Sequence, residues 1–226
     1  MEVAKTMSNS KETVMQFGEG GFLRGFVDYF FHKLQEKGLY DGKIVVVQPI
    51  EKGMCQMLAD QNCEYNLFLR GIDNGQVVNE HTHVTSISRA LNPYTQYEEY
   101  MKLAENPDLR VIVSNTTEAG IEYLGTEKLT DTPPKSYPAK LTQFLYKRFQ
   151  LGLKGFILLP CELIDNNADN LKKCILQYAD LWELGSDFKN WLESENDFCN
   201  TLVDRIVTGY PRDEVEELTK QIGYTD

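Results

Sequence analysis

Residues 13–28 read TVMQFGEGGFLRGFVD: a short β-prone run, four residues of which three are glycine, and then a helical pattern. A strand that passes through a glycine turn straight into a helix lets backbone N–H groups face a pyrophosphate. Gly18 permits the tight turn, Gly20 removes the Cβ that would block the phosphates, and the helix N-terminus adds partial positive charge. Arg24, one turn into the helix, is placed to add a full charge. The match to a GxGxxG fingerprint is incomplete, because Leu23 stands where the third glycine would be. That glycine serves helix–strand packing, not phosphate contact, so its loss leaves the binding chemistry in place. The competing reading is a glycine-rich tight turn that holds no ligand.

Outward from this turn, apolar runs alternate with helical patterns. TVMQF (13–17), KIVVVQ (43–48), RVIVS (110–114) and GFILLP (155–160) are short and rich in β-branched residues, as strands are. Helical spacing puts Leu23, Val27, Phe30, Phe31 and Leu34 on one stripe. Further helices are predicted over about 96–105, 138–150 and 169–182, with a helical group filling 186–221. Near-continuous apolar strands alternating with helices predict an α/β fold, a Rossmann-type doubly wound and mainly parallel sheet covered on both faces. One piece breaks the rhythm. YNLFLRGIDNGQVVNEHTHVTSIS (65–88) holds two β-like runs joined across Asn74-Gly75, which predicts an antiparallel hairpin insertion. The stretch 125–138 is the nearest thing to a loop of weak structure.

A net charge of -11 argues against nucleic-acid and membrane-surface partners, because phosphate backbones repel such a surface. It leaves room for one small anion at a local positive site. No apolar run is long enough to span a bilayer, and MEVAKTMSNSKE lacks the apolar core of a secretory signal. The five cysteines (Cys55, Cys63, Cys161, Cys174, Cys199) form no CxxC pair, and their odd number reads as reduced, mostly buried thiols in a cytoplasmic protein.

QFGEGGFLRGFVD resembles the opening motif of the long-chain mannitol dehydrogenase family, with its GxGxF-x-R signature. VSNTTEAGI (113–121), SYPAKLT (136–142), LLPCELIDNNADNLK (158–172) and FCNTLVDRIVTGYPRDEV (198–215) are similar to its altronate oxidoreductase (tagaturonate reductase) branch. These segments are collinear and span nearly the whole chain. The resemblance implies NAD as cofactor, a sugar acid as substrate, and hydride transfer between D-altronate and D-tagaturonate. Mannitol or fructuronate chemistry is the nearest rival, and a nucleotide-binding module without redox chemistry is the reading outside that class. The family's catalytic lysine sits in a helical C-terminal domain ahead of an Asn-Gly-Ala-His segment that is not found here. Residues 1–226 are therefore expected to form an NAD-binding Rossmann domain that works with its own C-terminal domain in a longer protein.

The family implies that Phe17, Gly18, Glu19, Gly20, Gly21, Phe22 and Arg24 border the cofactor. It also implies that Ser114, Asn115, Thr116 and Thr117 line the ribose and nicotinamide, with Glu118 starting a helix; the alternative is that Thr116 or Thr117 only caps that helix. Glu51, after the second strand, would accept from the adenosine ribose and favour NAD over NADP, whereas Lys52 beside it would welcome a phosphate. Asn200 matches the family's active-site asparagine, an amide donor to the substrate oxygen that becomes an alkoxide. The alternative makes it the N-cap of a TLVDRIV helix, with Asp204 on the same face and Asp204 and Arg205 structural.

The remaining polar residues read as structural. His81 and His83 share a strand face but lack a third ligand nearby in sequence, so no metal is expected. His32 reads as a surface or capping residue of the first helix. Glu162 and Asp165, close together after a strand, raise a divalent-metal or acid/base reading. The family has CDN at the equivalent point, which implies that Glu162 borders the crevice and implies no metal. RDEVEELTKQ reads as a solvated helix face.

Overall fold

The computed structural model describes residues 11–117, 119–203 and 205–224. The chain opens with β1 (Glu12–Phe17), α1 (Gly21–Gly25), α2 (Val27–Glu36), β2 (Lys43–Val47) and α3 (Cys55–Asp60). A hairpin of β3 (Tyr65–Asp73) and β4 (Gln76–Val84) leads to β5 (Ile87–Leu91) and α4 (Tyr97–Lys102). Then follow β6 (Val111–Ser114), α5 (Tyr137–Gln150), β7 (Ile157–Pro160), α6 (Asn167–Leu181), α7 (Ser186–Glu195), β8 (Asp197–Phe198) and α8 (Val215–Ile222).

Six strands pair in the order β5-β2-β1-β6-β7-β8, every pair parallel. The strand order reverses beside β1, whose neighbours β2 and β6 lead the chain in opposite directions. That is where an open α/β sheet leaves a crevice at its carboxyl edge. Alternation along β1 divides the core. Met15 and Phe17 face α4 to α7 with Val45, Val47, Ile112 and Leu158. Val14 faces the other way, with Ile44, Val46 and Val113, toward α1 to α3 and the root of the hairpin. Each such buried side chain contributes roughly 1.5–3 kcal/mol, which is why the strands read as continuous apolar runs.

The four expected strands and the hairpin across Asn74-Gly75 are present, and β3 and β4 pair antiparallel as a separate two-stranded sheet. Two strands were not legible. β5 is an edge strand carrying Ser88 and Arg89, which bond the Glu12 carboxylate across the sheet. Its polar side chains hide the pattern, and the hairpin ends at Val84, before it, not at 88. β8 has only two residues, too few to show a period.

The first helix departs from its expected stripe. The helix breaks at Phe26 (φ -122°, ψ -85°), where a Cβ on Gly25 would come within 3.1 Å of Val207. The restarted α2 is rotated, so it buries Asp28, Tyr29 and His32 and leaves Phe30 and Leu34 exposed. His32 is accordingly an interior residue, its Nδ1 accepting from the Thr85 N–H. The helical group expected over 186–221 is also interrupted. α7 ends at Glu195, and the described residues from 199 to 211 are neither helix nor strand. Those residues cross the molecule instead, with Val207 against Gly25 and the Arg205 guanidinium over the rings of Tyr29 and Phe30.

Candidate functional site

The glycine turn sits at the reversal point of the sheet. Gly18 has φ +116°, and a Cβ there would lie 2.6 Å from the Asn115 carbonyl oxygen, so no other residue fits. Its N–H donates to Val47 O at 3.1 Å, the Asn115 N–H donates to Phe17 O at 2.9 Å, and the Gln16 amide donates to Gly18 O at 3.0 Å. The turn is thus tied to β2, to the loop after β6 and to its own strand. Gly20 is different. Its φ of -66° and ψ of 162° suit any residue, and a Cβ there would meet nothing within 4 Å. Folding does not require glycine at this position, whereas an approaching ligand would. Gly20 caps α1, and no side chain among the described residues satisfies the first N–H groups of that helix. Unmet donors beside a residue with no side chain form a cradle suited to a pyrophosphate.

The neighbours of the turn have other tasks. Phe17 is wholly buried and stacks on Tyr137 at 4.7 Å, so it reaches the turn only through its backbone. Glu19 is buried too; its carboxylate accepts from the Met54 N–H at 2.9 Å and holds the β2–α3 connection beside the turn. Gly21 lies under Val207, and Phe22 packs on Phe26. The Arg24 guanidinium lies 5.4 Å over the Tyr65 ring, whose hydroxyl donates to Arg24 O. Glu51 and Lys52 are both exposed on the β2–α3 connection.

A second wall comes from the loop after β6, and Glu162 builds it. This carboxylate is 1% exposed and accepts from Ser114 Oγ at 3.1 Å and from the Thr116 N–H and Oγ1, both at 2.9 Å. Asn115 Nδ2 donates to Cys161 O at 2.7 Å. The loops after β6 and β7 are therefore locked together. Burial pushes the Glu162 carboxyl above its ordinary range, against the pull of these donors. Thr117 is exposed at φ 72°, and Glu118 lies outside the described residues. Among the described residues no helix follows them before α5, which is capped by Ser136.

Asn200 is exposed after β8 and does not cap a TLVDRIV helix, since the described residues of that stretch are not helical. It caps a different one. Its Oδ1 accepts from the N–H groups of Ala168 and Asp169, at 2.9 and 3.2 Å, and its Nδ2 donates to the Asp169 carboxylate at 2.9 Å. Asn200 thereby satisfies the start of α6 from across the chain, because Asn166, at the helix's own cap position, sits at φ 53° without a side-chain bond. Asp204 lies outside the described residues. Sequence reasoning passed over Asn167, whose buried amide donates to Pro160 O and Thr201 Oγ1 and pins the β8 exit to β7. It also passed over Gln16, although one polar residue inside an apolar strand is a visible signal. His81 bonds Asn66, His83 pairs with Glu64, and no metal-ligating group of three or more is found among the described residues.

Comparison with known proteins places this geometry. The family model for the mannitol dehydrogenase Rossmann domain matches residues 12–226. The altronate oxidoreductase of Phocaeicola vulgatus is 52% identical over 219 residues, 95% of this chain and 46% of that protein. That of Bacillus subtilis is 46% identical over the same shares. Among solved structures, Pseudomonas fluorescens mannitol 2-dehydrogenase, in a ternary complex with NAD and D-mannitol, superposes with a TM-score of 0.81 at 20% identity, over 94% of this chain and 46% of that one. The chain spans about half the length of the curated relatives it matches.

Proposed function

Because this chain belongs to the mannitol dehydrogenase family, we propose that it binds NAD(H) as the Rossmann domain of an oxidoreductase that interconverts D-altronate and D-tagaturonate. The observation that carries the cofactor half is Gly20, a glycine that the fold does not need, at the N-terminus of α1 and at the reversal point of the sheet. The identity to altronate oxidoreductases over 95% of the chain supports the substrate half. In this reading residues 1–226 are one dinucleotide-binding domain of a longer protein, whose remaining part supplies the catalytic lysine.

The bound cofactor supplies a nicotinamide carbon that takes or gives a hydride. Every other role falls to the protein. The backbone N–H groups at Gly20 and Gly21 hold the pyrophosphate, with Gly18 fixing the turn and Arg24 adding positive charge. Glu51 accepts from the adenosine ribose and disfavours a 2′-phosphate there. Ser114, Asn115, Thr116 and Thr117, locked by Glu162, border the nicotinamide ribose. Asn200 lies on the substrate side, where its Nδ2, turned from Asp169, donates to the substrate oxygen as charge develops on it.

Calorimetric titration of the chain with NADH and NADPH tests this. NADH is expected to bind, with NADPH weaker. Gly20→Val is expected to remove NADH binding while the melting temperature holds, since its branch enters the pyrophosphate position and a Cβ there meets no protein atom within 4 Å. Unchanged affinity in the folded variant would show that the turn holds no ligand.

A further inference from the structure

Gln16 and Asp28 are wholly buried, one on β1 and the other on α2, and they meet beneath the glycine turn. The Gln16 amide nitrogen has two hydrogens and uses both, toward Gly18 O at 3.0 Å and toward Asp28 Oδ2 at 3.3 Å. The sister oxygens of that pair, Gln16 Oε1 and Asp28 Oδ1, have no hydrogen-bond partner among the described residues. A carboxylic acid and a primary amide satisfy each other completely through two antiparallel hydrogen bonds, N–H to C=O and O–H to C=O. One bond between the two side chains is present, and a proton on Asp28, taken from solvent, supplies the donor that a second one needs. Two buried acceptors cannot pair without it.

We infer that Asp28 is a positioning residue for the dinucleotide: as the neutral acid it fixes Gln16, and Gln16 fixes the Gly18 carbonyl and with it the turn. The inference rests on the cofactor reading above. Deprotonation has a competing partner ready. Arg24, four residues before Asp28 and across the break at Phe26, has a buried Nε without a hydrogen-bond partner among the described residues. The anion is drawn to that guanidinium, which loosens Gln16 and takes charge from the phosphate site. The other groups facing Asp28 do not substitute for the proton. Tyr65 donates its hydroxyl to Arg24 O, and Ser86 donates to the main-chain oxygen of Asp28. His32, one turn farther along α2, is kept toward its neutral form by burial and faces Glu36. Burial without a cation in hydrogen-bond contact raises the Asp28 carboxyl to about 7, so both forms are populated near neutral pH.

The experiment is NADH titration of the 226-residue chain across about pH 6 to 8, for the wild type, Asp28→Asn and Gln16→Met. The side-chain amide introduced by Asp28→Asn has the same shape as the carboxyl, closes the amide cycle without a proton and cannot ionise. Wild-type affinity is expected to fall several-fold as pH rises, while Asp28→Asn stays at the low-pH affinity throughout. Gln16→Met, which removes the clamp, is expected to bind about tenfold more weakly than the wild type at low pH, the worth of one buried hydrogen bond. A flat wild-type profile, or an Asp28→Asn profile parallel to the wild type, overturns the inference. A second readout needs no cofactor. The folded carboxyl titrates near 7 and the unfolded one near 3.8, so the folded chain binds the proton more tightly and stability falls as pH rises between those values. Asp28→Asn is expected to abolish that fall in melting temperature. If it does so while no variant binds NADH, the cofactor reading fails and the titration stands; if the melting profiles coincide, Asp28 does not titrate there and the inference fails on its own.

Discussion

Replacing Gly18 by valine is expected to cost at least ~2 kcal/mol in stability, because φ +116° is closed to branched residues and the Asn115 carbonyl stands 2.6 Å from the new Cβ. Gly20→Val, two residues on, is expected to leave the melting curve alone and act only on NADH. Denaturant unfolding of the two variants side by side separates a glycine the fold needs from one a ligand needs. Asn200 makes a similar pair of demands. Asn200→Ala removes the acceptor for two N–H groups at the start of α6 and is expected to destabilise this chain by ~1 kcal/mol. Asn200→Asp keeps that acceptor, loses the donation and sets a second carboxylate against Asp169. In a full-length enzyme both variants are expected to lower kcat by up to ~10²-fold with NADH affinity unchanged. Lower stability with normal kcat would confine Asn200 to capping.

At the scale of elements, the core on the α4–α7 side is closed by a buried guanidinium. Arg148, near the end of α5 and 1% exposed, donates to the carbonyls of Ala104, Asn106, Leu109 and Lys154. These belong to the connection from α4 to β6 and to the exit from α5. Burial lowers its pKa only to about 10, so it stays charged at neutral pH. Arg148→Met keeps the stem and leaves four carbonyls without their donor, which is expected to cost about 3 kcal/mol or more in chemical denaturation. A loss under 1 kcal/mol would mean that those carbonyls find other partners. The Arg70–Glu214 pair, between hairpin and C-terminal segment, is the contrast. It is half exposed, and Arg70→Ala is expected to change stability by less than about 1 kcal/mol, most of it lost in high salt.

For the whole molecule, the proposal separates binding from turnover. The 226-residue chain is expected to bind NADH and to leave D-tagaturonate unreduced, since the lysine that delivers the proton belongs to the proposed remainder of the protein. Reduction by the purified chain would overturn that division. Affinity is expected to be modest, because a crevice open on one side leaves part of the nicotinamide in water.

What this chain's sequence determined by itself is local and periodic. A β-branched run ending on Gly18 to Gly21, three further apolar runs and an Asn-Gly pair are enough to specify a parallel sheet, its phosphate turn and its hairpin, because strand and turn propensities act over a few residues. The residues that fold around the turn were legible for the same reason. Tertiary structure decided what depends on distant partners. The break at Phe26 arises where Val207 crosses Gly25, some 180 residues away in sequence, and it turns Asp28 and His32 inward where periodicity had put Phe30 and Leu34. Glu162 becomes the clamp of the 114–117 loop only because β6 and β7 are neighbours in the sheet. Asn200 caps a helix that starts more than thirty residues before it, a pairing that no local pattern encodes. Glu51 and Lys52 are both exposed, and the proposed ribose contact falls to Glu51 on its charge. Short-range backbone preference wrote the sheet and its turn; long-range burial of polar groups, which must find partners wherever the fold supplies them, wrote the site.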